Sequence, residues 1–293
     1  LSAEVNKVLA ATGASKVVLF ANSRGGYAVR NYIQNGQGAS KVSHAILGGT
    51  PNHGVWAIKG FREGSEFSGT GAFLMGLNAH KNTNGDEVTG PVKWLTIRSD
   101  NNDKFAQPDG LWIGAKGTAT NVTFAGPELK GATNAVLPRI DHRETSFSPA
   151  AFLTAHSFIR GVGPQFPAIV PEKVVMLNGN VTGLGLNSSD AKSGNFVNNL
   201  PIPDASVQIY ATDAAGARIG AAEHDKRVGI DGQWGPFTAK AGVAYEFVIN
   251  AVGYSTTHIY RSAFPRSSNI VHLRAERMSD TDKANTDAKS IVT

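Results

Sequence analysis

The sequence predicts an α/β domain built on a doubly wound, mostly parallel sheet, followed by an all-β sandwich domain. An apolar run, Val17 to Phe20, is followed at once by helical spacing of apolar residues, which is typical of a buried parallel strand and its crossover helix. The second half instead shows short β-branched and aromatic runs between Gly, Asn and Asp turns. Three prolines and two glycines in 160–173 favour a domain boundary between the halves. We therefore expect an α/β domain at 1–162, a linker at 163–173, a β-sandwich at 174–276 and a polar tail at 277–293.

The first predicted element is a helix from Ser2 to Ala11, closed by Gly13. The strand that begins at Val17 comes next, and it leads into a helix with apolar positions at Tyr27, Val29, Tyr32 and Ile33. Because only a few residues separate this strand from this helix, the turn between them must be tight.

Residues 21–26, ANSRGG, form this turn, with Ser23 at its tip. So tight a turn forces its central residue toward strained dihedral angles, and the residues two before and two after it must be small. Ala21 and Gly25 occupy those places. The geometry lifts the Ser23 hydroxyl clear of the sheet at a helix N-terminus, where the Arg24 N–H points at a developing oxyanion. The alternative is an ordinary turn in which a small polar residue caps the helix.

A serine nucleophile needs a base, and the base needs a carboxylate that holds its tautomer. The run from Trp94 to Ile97 predicts a strand, and the polar loop after it carries Asp100, Asp103 and Asp109. An acid at the carboxyl end of a strand is where α/β sheets place functional groups. We prefer Asp103 on its loop position, with Asp100 second. The alternative for this loop is a solvated cluster of Asx turns.

His142 is the candidate base. It lies in a loop between a short strand-like run and a helix that starts after Ser148, with Pro149 at the first helical position. Its place after the nucleophile and the acid matches the chain order serine, acid, histidine. The other seven histidines lack this arrangement.

These segments resemble the lipase and esterase branch of the α/β-hydrolases over about residues 1–162. The resemblance is carried by the A-x-S-x-G elbow, by the acid loop, and by the segments AILGGTPNHGVWA and DHRETSFSPAAF. It implies an α/β-hydrolase fold with a catalytic triad of Ser23, Asp103 and His142, and the Arg24 N–H as one oxyanion donor. It also implies lipid degradation outside the cytoplasm, by a secreted or periplasmic enzyme that needs no metal and no organic cofactor.

The family fold normally places several strands before the elbow, and the loop after the third supplies the second oxyanion donor. Here the elbow strand begins at Val17, after a single predicted helix. We therefore expect the chain to lack the first part of its hydrolase domain. An upstream segment that was cleaved off, or a second chain, is then the expected partner that completes it.

A glycine-rich segment between the elbow and the acid loop, residues 56–90, carries scattered bulky apolar residues. It is typical of a lid or an acyl-binding segment, with glycine hinges and an apolar wall. The expected substrate-binding residues are Asn22, Trp56, Phe61 and Phe73. The alternative is a variable excursion whose apolar residues only pack on the sheet.

The second half resembles the carboxypeptidase-regulatory, transthyretin-like β-sandwich domains. The resemblance is carried by PIPDASVQIY at 201–210, by the segment 229–254 with its Asp-Gly turn before Trp234, and by the closing strand. This half carries no serine, histidine and aspartate set of its own, so it is expected to be a structural or binding domain. The tail at 277–293 is polar and is expected to be disordered or to lie on the surface.

Composition excludes several classes of protein. The net charge is +5, but Lys and Arg are scattered and form no basic stripe with interleaved aromatic residues, which argues against nucleic-acid binding. The absence of cysteine excludes disulfides and thiolate metal sites. The sequence contains no apolar run of the roughly 18 residues that a membrane-spanning helix needs.

The preferred interpretation is a serine hydrolase that cleaves hydrophobic carboxylic esters, a lipase or esterase, through an acyl intermediate on Ser23. Its expected partner is a hydrophobic ester, met at a lipid interface. A polyester or amide hydrolase is the second possibility. A catalytically idle hydrolase-like module with a binding β-domain is the third, because losing one oxyanion donor costs about 100-fold to 1000-fold in rate.

Overall fold

The computed structural model describes residues 1–100, 103, 105–111, 113, 115–123, 125–126, 128–183, 200–276, 284 and 290–293. The chain divides into two units, residues 1–167 and residues 168–293, which are described separately below. Within the described ranges, no helix is both long and apolar enough to cross a bilayer.

The first unit alternates helices and strands. In chain order they are α1 (Ser2–Thr12), β1 (Val17–Asn22), α2 (Gly25–Gln34), α3 (Gly38–Lys41), β2 (Val42–Gly48), α4 (Ala72–Leu77), β3 (Lys93–Ser99), β4 (Thr133–Leu137), α5 (Glu144–Phe147) and α6 (Pro149–Arg160). Helix α1 ends where Gly13 adopts a φ of 67° and donates its N–H to Leu9 O. Helix α6 begins where the Ser148 hydroxyl accepts the Ala151 N–H at 3.1 Å.

The four strands of this unit form one parallel sheet in the order β1-β2-β3-β4, which confirms the predicted parallel sheet. Asn22 pairs with Gly48 across β1 and β2, and Ser99 pairs with Leu137 across β3 and β4. The carboxyl ends of all four strands therefore lie along one edge of the sheet. Loops that leave this edge carry the candidate catalytic residues.

Alternate residues of the central strands pack on opposite faces of the sheet. Ala45 and Leu47 of β2 belong to a core that also holds apolar residues of α1 and α2. Ile46, between them, belongs to a second core with Ala151 and Ala155 of α6. Because side chains alternate across a strand, α1 and α2 cover one face and α6 covers the other.

The second unit is built from strands. They are β5 (Val175–Leu177), β6 (Val181–Gly183), β7 (Ser206–Thr212), β8 (His224–Arg227), β9 (Phe237–Ala239), β10 (Ala244–Asn250), β11 (Thr256–Arg261), β12 (Leu273–Ala275) and β13 (Ser290–Val292). Five of them form a sheet in the order β13-β11-β10-β7-β8, and two pairs, β12-β6 and β5-β9, form smaller sheets. Residues from all three sheets share one apolar core, with Trp234 fully buried in it.

The described part of the predicted polar tail includes a short strand at the edge of a sheet. Ser290–Val292 form β13, which pairs in parallel with β11 at the edge of the five-stranded sheet. The Thr293 carbonyl accepts the Tyr260 N–H at 3.1 Å, and the Thr293 N–H binds His258 O at 2.9 Å. Two β-branched residues in a short polar stretch are enough for this pairing, because an edge strand contributes mainly backbone hydrogen bonds. Residues 277–283 and 285–289 of the predicted tail lie outside the described residues.

Candidate active site

Ser23 lies at the turn between β1 and α2, with a φ of 53°. A non-glycine residue in this left-handed region costs about 1–3 kcal/mol and persists only where its surroundings hold it. Two contacts do so: the Ser23 N–H donates to Gly48 O at 2.8 Å, and the Thr50 hydroxyl donates to Ser23 O at 3.0 Å. The loop after β2 therefore fixes the backbone of the candidate nucleophile.

The residues around Ser23 are small because the turn leaves them no room. A Cβ added at Gly25 would lie 3.3 Å from the Ala21 Cβ, which is the close approach expected of the positions two before and two after Ser23. A Cβ at Gly26 would collide with the Thr50 side chain, whose hydroxyl holds Ser23. Both glycines of the ANSRGG motif thus leave the space that the turn at Ser23 requires.

His142 and Asp103 form a buried pair on loops that leave the same edge of the sheet. The distance from His142 Nδ1 to Asp103 Oδ2 is 2.7 Å, and the Phe105 N–H donates to the other carboxylate oxygen at 2.9 Å. His142 is 8% exposed and Asp103 is 6% exposed, with the Phe105 ring 4.3 Å from the imidazole centroid. A carboxylate facing Nδ1 selects the tautomer that carries its proton there, which leaves Nε2 free to accept one.

The structure places Asp103, rather than Asp100, against His142. The carboxylate of Asp100 accepts the Arg139 N–H at 3.3 and 3.4 Å and the Ser99 hydroxyl at 3.2 Å. These bonds tie the acid loop to the segment after β4. Asp100 therefore connects two loops, whereas Asp103 contacts the candidate base.

Contacts through β2 bring the His142 loop to the elbow. The Asn22 side-chain N–H group donates to His142 O at 3.1 Å. A Cβ at Gly49 would lie 3.2 Å from His142 Nδ1, so the imidazole packs against the backbone next to Gly48, which binds the Ser23 N–H. The candidate acid and base thus contact each other, and the loop that carries the base is hydrogen-bonded to the residue before Ser23.

A groove with a volume of about 390 Å³ lies beside the elbow. One wall is aromatic: Phe73 of α4 is 38% exposed and contacts the Tyr27 ring edge-on at 5.9 Å. The other wall is charged, since Arg24 Nε lies 2.6 Å from Glu66 Oε1. Phe73, an expected substrate-binding residue, therefore lines a groove that Arg24, the residue after Ser23, also lines.

The other expected substrate-binding residues make different contacts. Trp56 is 7% exposed, its indole N–H donates to Phe61 O at 3.1 Å, and the two rings pack edge to face at 5.8 Å. The Asn22 amide donates to Gly48 O at the end of β2, to His142 O in the loop after β4, and to Thr145 Oγ1 of α5. A role of these three residues toward a substrate stays a prediction.

A second histidine–carboxylate pair, His53 with Glu87, lies outside the residues expected from the sequence. His53 Nε2 is 2.8 Å from Glu87 Oε1, and its Nδ1 makes a short contact with Gly126 O. Both ring nitrogens face acceptors, and this arrangement favours the doubly protonated, imidazolium form of His53. Among the described residues, no group of three or more His, Asp or Glu side chains is arranged to hold a metal ion.

The surroundings of this pair shift both pKa values. The hydrogen bond to Glu87 and, to a smaller extent, the bond to Gly126 raise the pKa of His53, against its burial. Burial alone would raise the pKa of Glu87, but the bonds from His53 and the Lys130 N–H and the nearby Arg30 charge leave it lowered. Burial lowers the pKa of Arg30 to about 10, and Arg30 stays charged at neutral pH.

The shifts predict how stability depends on pH. A raised His53 pKa stabilises the fold below pH 6.5, its ordinary value, and this contribution is lost as pH rises through the folded-state pKa. A lowered Glu87 pKa stabilises the fold above pH 4.5, and this contribution is lost as pH falls through the folded-state pKa. The pair therefore stabilises the fold to its full extent between pH 4.5 and pH 6.5.

We expect Glu87→Gln to lower Tm in that window by roughly 2–6 °C, and by less at pH 3 or pH 9.

Thermal unfolding of both proteins across this pH range measures the difference. The matched control is Glu128→Gln, which removes an exposed carboxylate 2.8 Å from Arg98 and should change Tm little at any pH. An equal loss of Tm at every pH for Glu87→Gln would contradict a charged pair.

One family model matches the chain. Residues 173–278 match the lipase C-terminal domain. The matched residues lie in the second unit, whereas Ser23, Asp103 and His142 lie in the first. The similarity to the lipase C-terminal domain therefore concerns the second unit alone.

The solved structures to which the chain is similar include two of low identity. The chain is similar to a catechol 1,2-dioxygenase from an Acinetobacter species, inhibited by bound mercury, at 12% identity over 48% of this chain and 73% of that one, with a TM-score of 0.24. It is similar to a Bacillus licheniformis lipase in its propeptide form at 15% identity over 85% of this chain, with a TM-score of 0.38. The chain spans 60% of the length of that lipase. No curated protein sequence matches the chain.

Proposed function

We propose that the protein is a serine hydrolase that cleaves carboxylic esters. The observation that carries this proposal is the buried pair of His142 and Asp103, joined at 2.7 Å, at the sheet edge where Ser23 occupies a left-handed turn. The three residue types are those that activate a serine for acyl transfer. The lipase match of the second unit supports an ester as the substrate.

The proposed reaction begins when His142 Nε2 accepts the Ser23 hydroxyl proton as the oxygen attacks the ester carbonyl. Asp103 stabilises the imidazolium that forms. The oxyanion of the tetrahedral intermediate binds the Arg24 N–H, which lies at the N-cap of α2, where backbone N–H groups have no partner within the helix. The alcohol leaves with the proton from His142. Water then attacks the acyl–Ser23 ester and gives a proton to His142. As the second tetrahedral intermediate collapses, the bond from the acyl carbon to Ser23 Oγ breaks, His142 returns the proton to Ser23, and the carboxylic acid is released.

For the fold, we propose that the first unit is the catalytic domain of an α/β-hydrolase. Helices on both faces of its parallel sheet, with the site at the carboxyl edge, support this assignment. We propose that the second unit is a β-sandwich of the carboxypeptidase-regulatory type. Its single core, shared by three sheets, supports that part of the proposal.

The proposed substrates are esters with a hydrophobic acyl chain. The rings of Phe73 and Tyr27, which line the groove together with Arg24, suit a chain of methylene groups. The pair of Arg24 and Glu66, which also lines this groove, suits the polar region around the ester bond. An acyl chain in this groove would bury its methylene groups against the rings.

A series of p-nitrophenyl esters from acetate to palmitate tests this proposal. Each buried methylene is worth about 0.8 kcal/mol, so kcat/KM should rise about fourfold per methylene while the chain still enters the groove. The acyl-chain length at which kcat/KM stops rising gives the length of the groove. A matched variant, Phe73→Ala, should flatten the rise and leave the acetate rate nearly unchanged.

Three outcomes contradict parts of the proposal. A sharp optimum at acetate would indicate a short-chain esterase. Equal rates with all esters would indicate an amide or polymer substrate. No hydrolysis at all, together with no reaction of Ser23 with a fluorophosphonate, would indicate a catalytically idle module.

A further inference from the structure

The side chain of Asn22 joins three parts of the candidate active site. Asn22 is the last residue of β1 and precedes Ser23. Its Nδ2 group lies 3.1 Å from Gly48 O, 3.1 Å from His142 O and 3.3 Å from Thr145 Oγ1. One amide thus connects the elbow to the end of β2 and to the loop that carries the candidate base.

The surroundings decide which end of this amide faces the loops. Two of the three neighbouring atoms are carbonyl oxygens, which only accept. The third, Thr145 Oγ1, directs its own proton to His142 O at 2.7 Å and so accepts from Asn22. An oxygen in place of the Asn22 nitrogen would face three acceptors. The site therefore requires a donor at this position.

We propose that Asn22 is a positioning residue that sets the distance between Ser23 and His142, and this inference rests on the proposed hydrolase function. The sequence prediction had placed Asn22 among the substrate-binding residues. In the structure its amide binds the backbone of the residue that would act as base, 120 positions away in the chain. The donor belongs to the residue next to Ser23, so a shift of the loop that carries His142 also moves the elbow.

The effect should appear in turnover rather than in folding. A misplacement of about 1 Å between reacting groups costs about 100-fold in rate. The stability of the fold should change little, because the carbonyls of Gly48 and His142 each keep another donor when Asn22 is replaced. Gly48 O still accepts the Ser23 N–H at 2.8 Å, and His142 O still accepts the Thr145 hydroxyl. A variant without the amide should therefore fold.

The experiment compares Asn22→Leu and Asn22→Asp with the wild-type chain. Leucine keeps the approximate size and removes the donor, so kcat should fall about 10- to 100-fold while KM stays within about twofold. Aspartate keeps the shape but turns an oxygen toward the three acceptors, so its kcat should be lower than that of the leucine variant. The rate of fluorophosphonate labelling of Ser23 should fall in the same order.

The matched control is Asn134→Leu. The Asn134 amide also donates to two backbone carbonyls of the first unit, those of Leu129 and Ala132, but it lies near the amino end of β4. Its loss should lower Tm at least as much as the loss of Asn22 and leave kcat unchanged. A milder second variant, Thr145→Val, removes the other donor to His142 O and should lower kcat less than Asn22→Leu.

The outcomes separate the inference from the proposed function. If the wild-type chain labels at Ser23 and hydrolyses esters, the hydrolase proposal stands whatever the variants do. A kcat of Asn22→Leu within twofold of wild type, a change confined to KM, or an aspartate variant more active than the leucine variant would overturn the positioning role. If Asn22→Leu does not fold, the same comparison is made with Thr145→Val, for which a wild-type kcat would overturn it.

Discussion

Replacing Ser23 by alanine is expected to remove both ester hydrolysis and covalent labelling by a fluorophosphonate. In the proposed reaction Ser23 supplies the atom that attacks the substrate, and no other group can take its place at that point of the turn. Loss of a nucleophile of this kind costs about 10⁶-fold in kcat. The side chain of Ser23 adds little to stability, so Tm should stay within a few degrees of wild type. Steady-state assay and intact-mass measurement of the labelled protein give both readouts.

Ser146→Ala is the matched control for this variant. The Ser146 hydroxyl is buried beside Gly48 and has no hydrogen-bond partner among the residues that the structure describes. It lies near the candidate site but lacks the strained turn that presents Ser23. This variant should keep full activity and full labelling. Labelling that persists in Ser23→Ala and disappears in Ser146→Ala would identify a different nucleophile.

Replacing Asp103 by asparagine is expected to lower kcat about 10⁴-fold with little change in KM. Asparagine fits the same space and still accepts the Phe105 N–H through its oxygen. An amide N–H directed at His142 Nδ1, however, stabilises the tautomer that carries its proton on Nε2, and such an imidazole cannot accept the serine proton. Substrate binding does not involve this contact. Single-turnover kinetics with a p-nitrophenyl ester measure the rate of acylation separately from the affinity for the substrate.

Asp100→Asn tests whether the acid is correctly chosen. Asp100 binds the Arg139 N–H and the Ser99 hydroxyl, and an amide oxygen can accept from either. The variant should therefore keep kcat within about threefold of wild type and lose some stability. A fully active Asp103→Asn beside an inactive Asp100→Asn would reverse the assignment.

The elbow could be predicted from the sequence because its signal is local. Crowding in a tight turn acts between residues four apart, such as Ala21 and Gly25, so the residue types alone indicate the geometry. The parallel sheet could be predicted for a similar reason, since apolar runs followed by helical spacing are local patterns. The preference for Asp103 over Asp100 depended on loop position alone.

Other features depend on contacts that no local pattern reports. The Asn22 amide meets residues that are 26, 120 and 123 positions away. The bond of His53 to Glu87 joins residues 34 apart in two loops without regular structure. Strand β13 belongs to a polar stretch that was expected to be disordered or to lie on the surface, and it pairs with β11 at the edge of the five-stranded sheet. Each of these depends on which segments the fold brings together.

During synthesis, Ser23 leaves the ribosome long before the residue that would activate it. The hydrogen bond between Asn22 and His142 joins residues that are 120 positions apart. A ribosome that adds about 5–20 residues per second needs about 6–24 s to synthesise this stretch. Parallel strands pair only after their intervening helices have been made, and such non-local sheets form slowly. A nascent chain that ends before His142 thus holds the serine without its base. Under the proposed function, such a chain cleaves no ester.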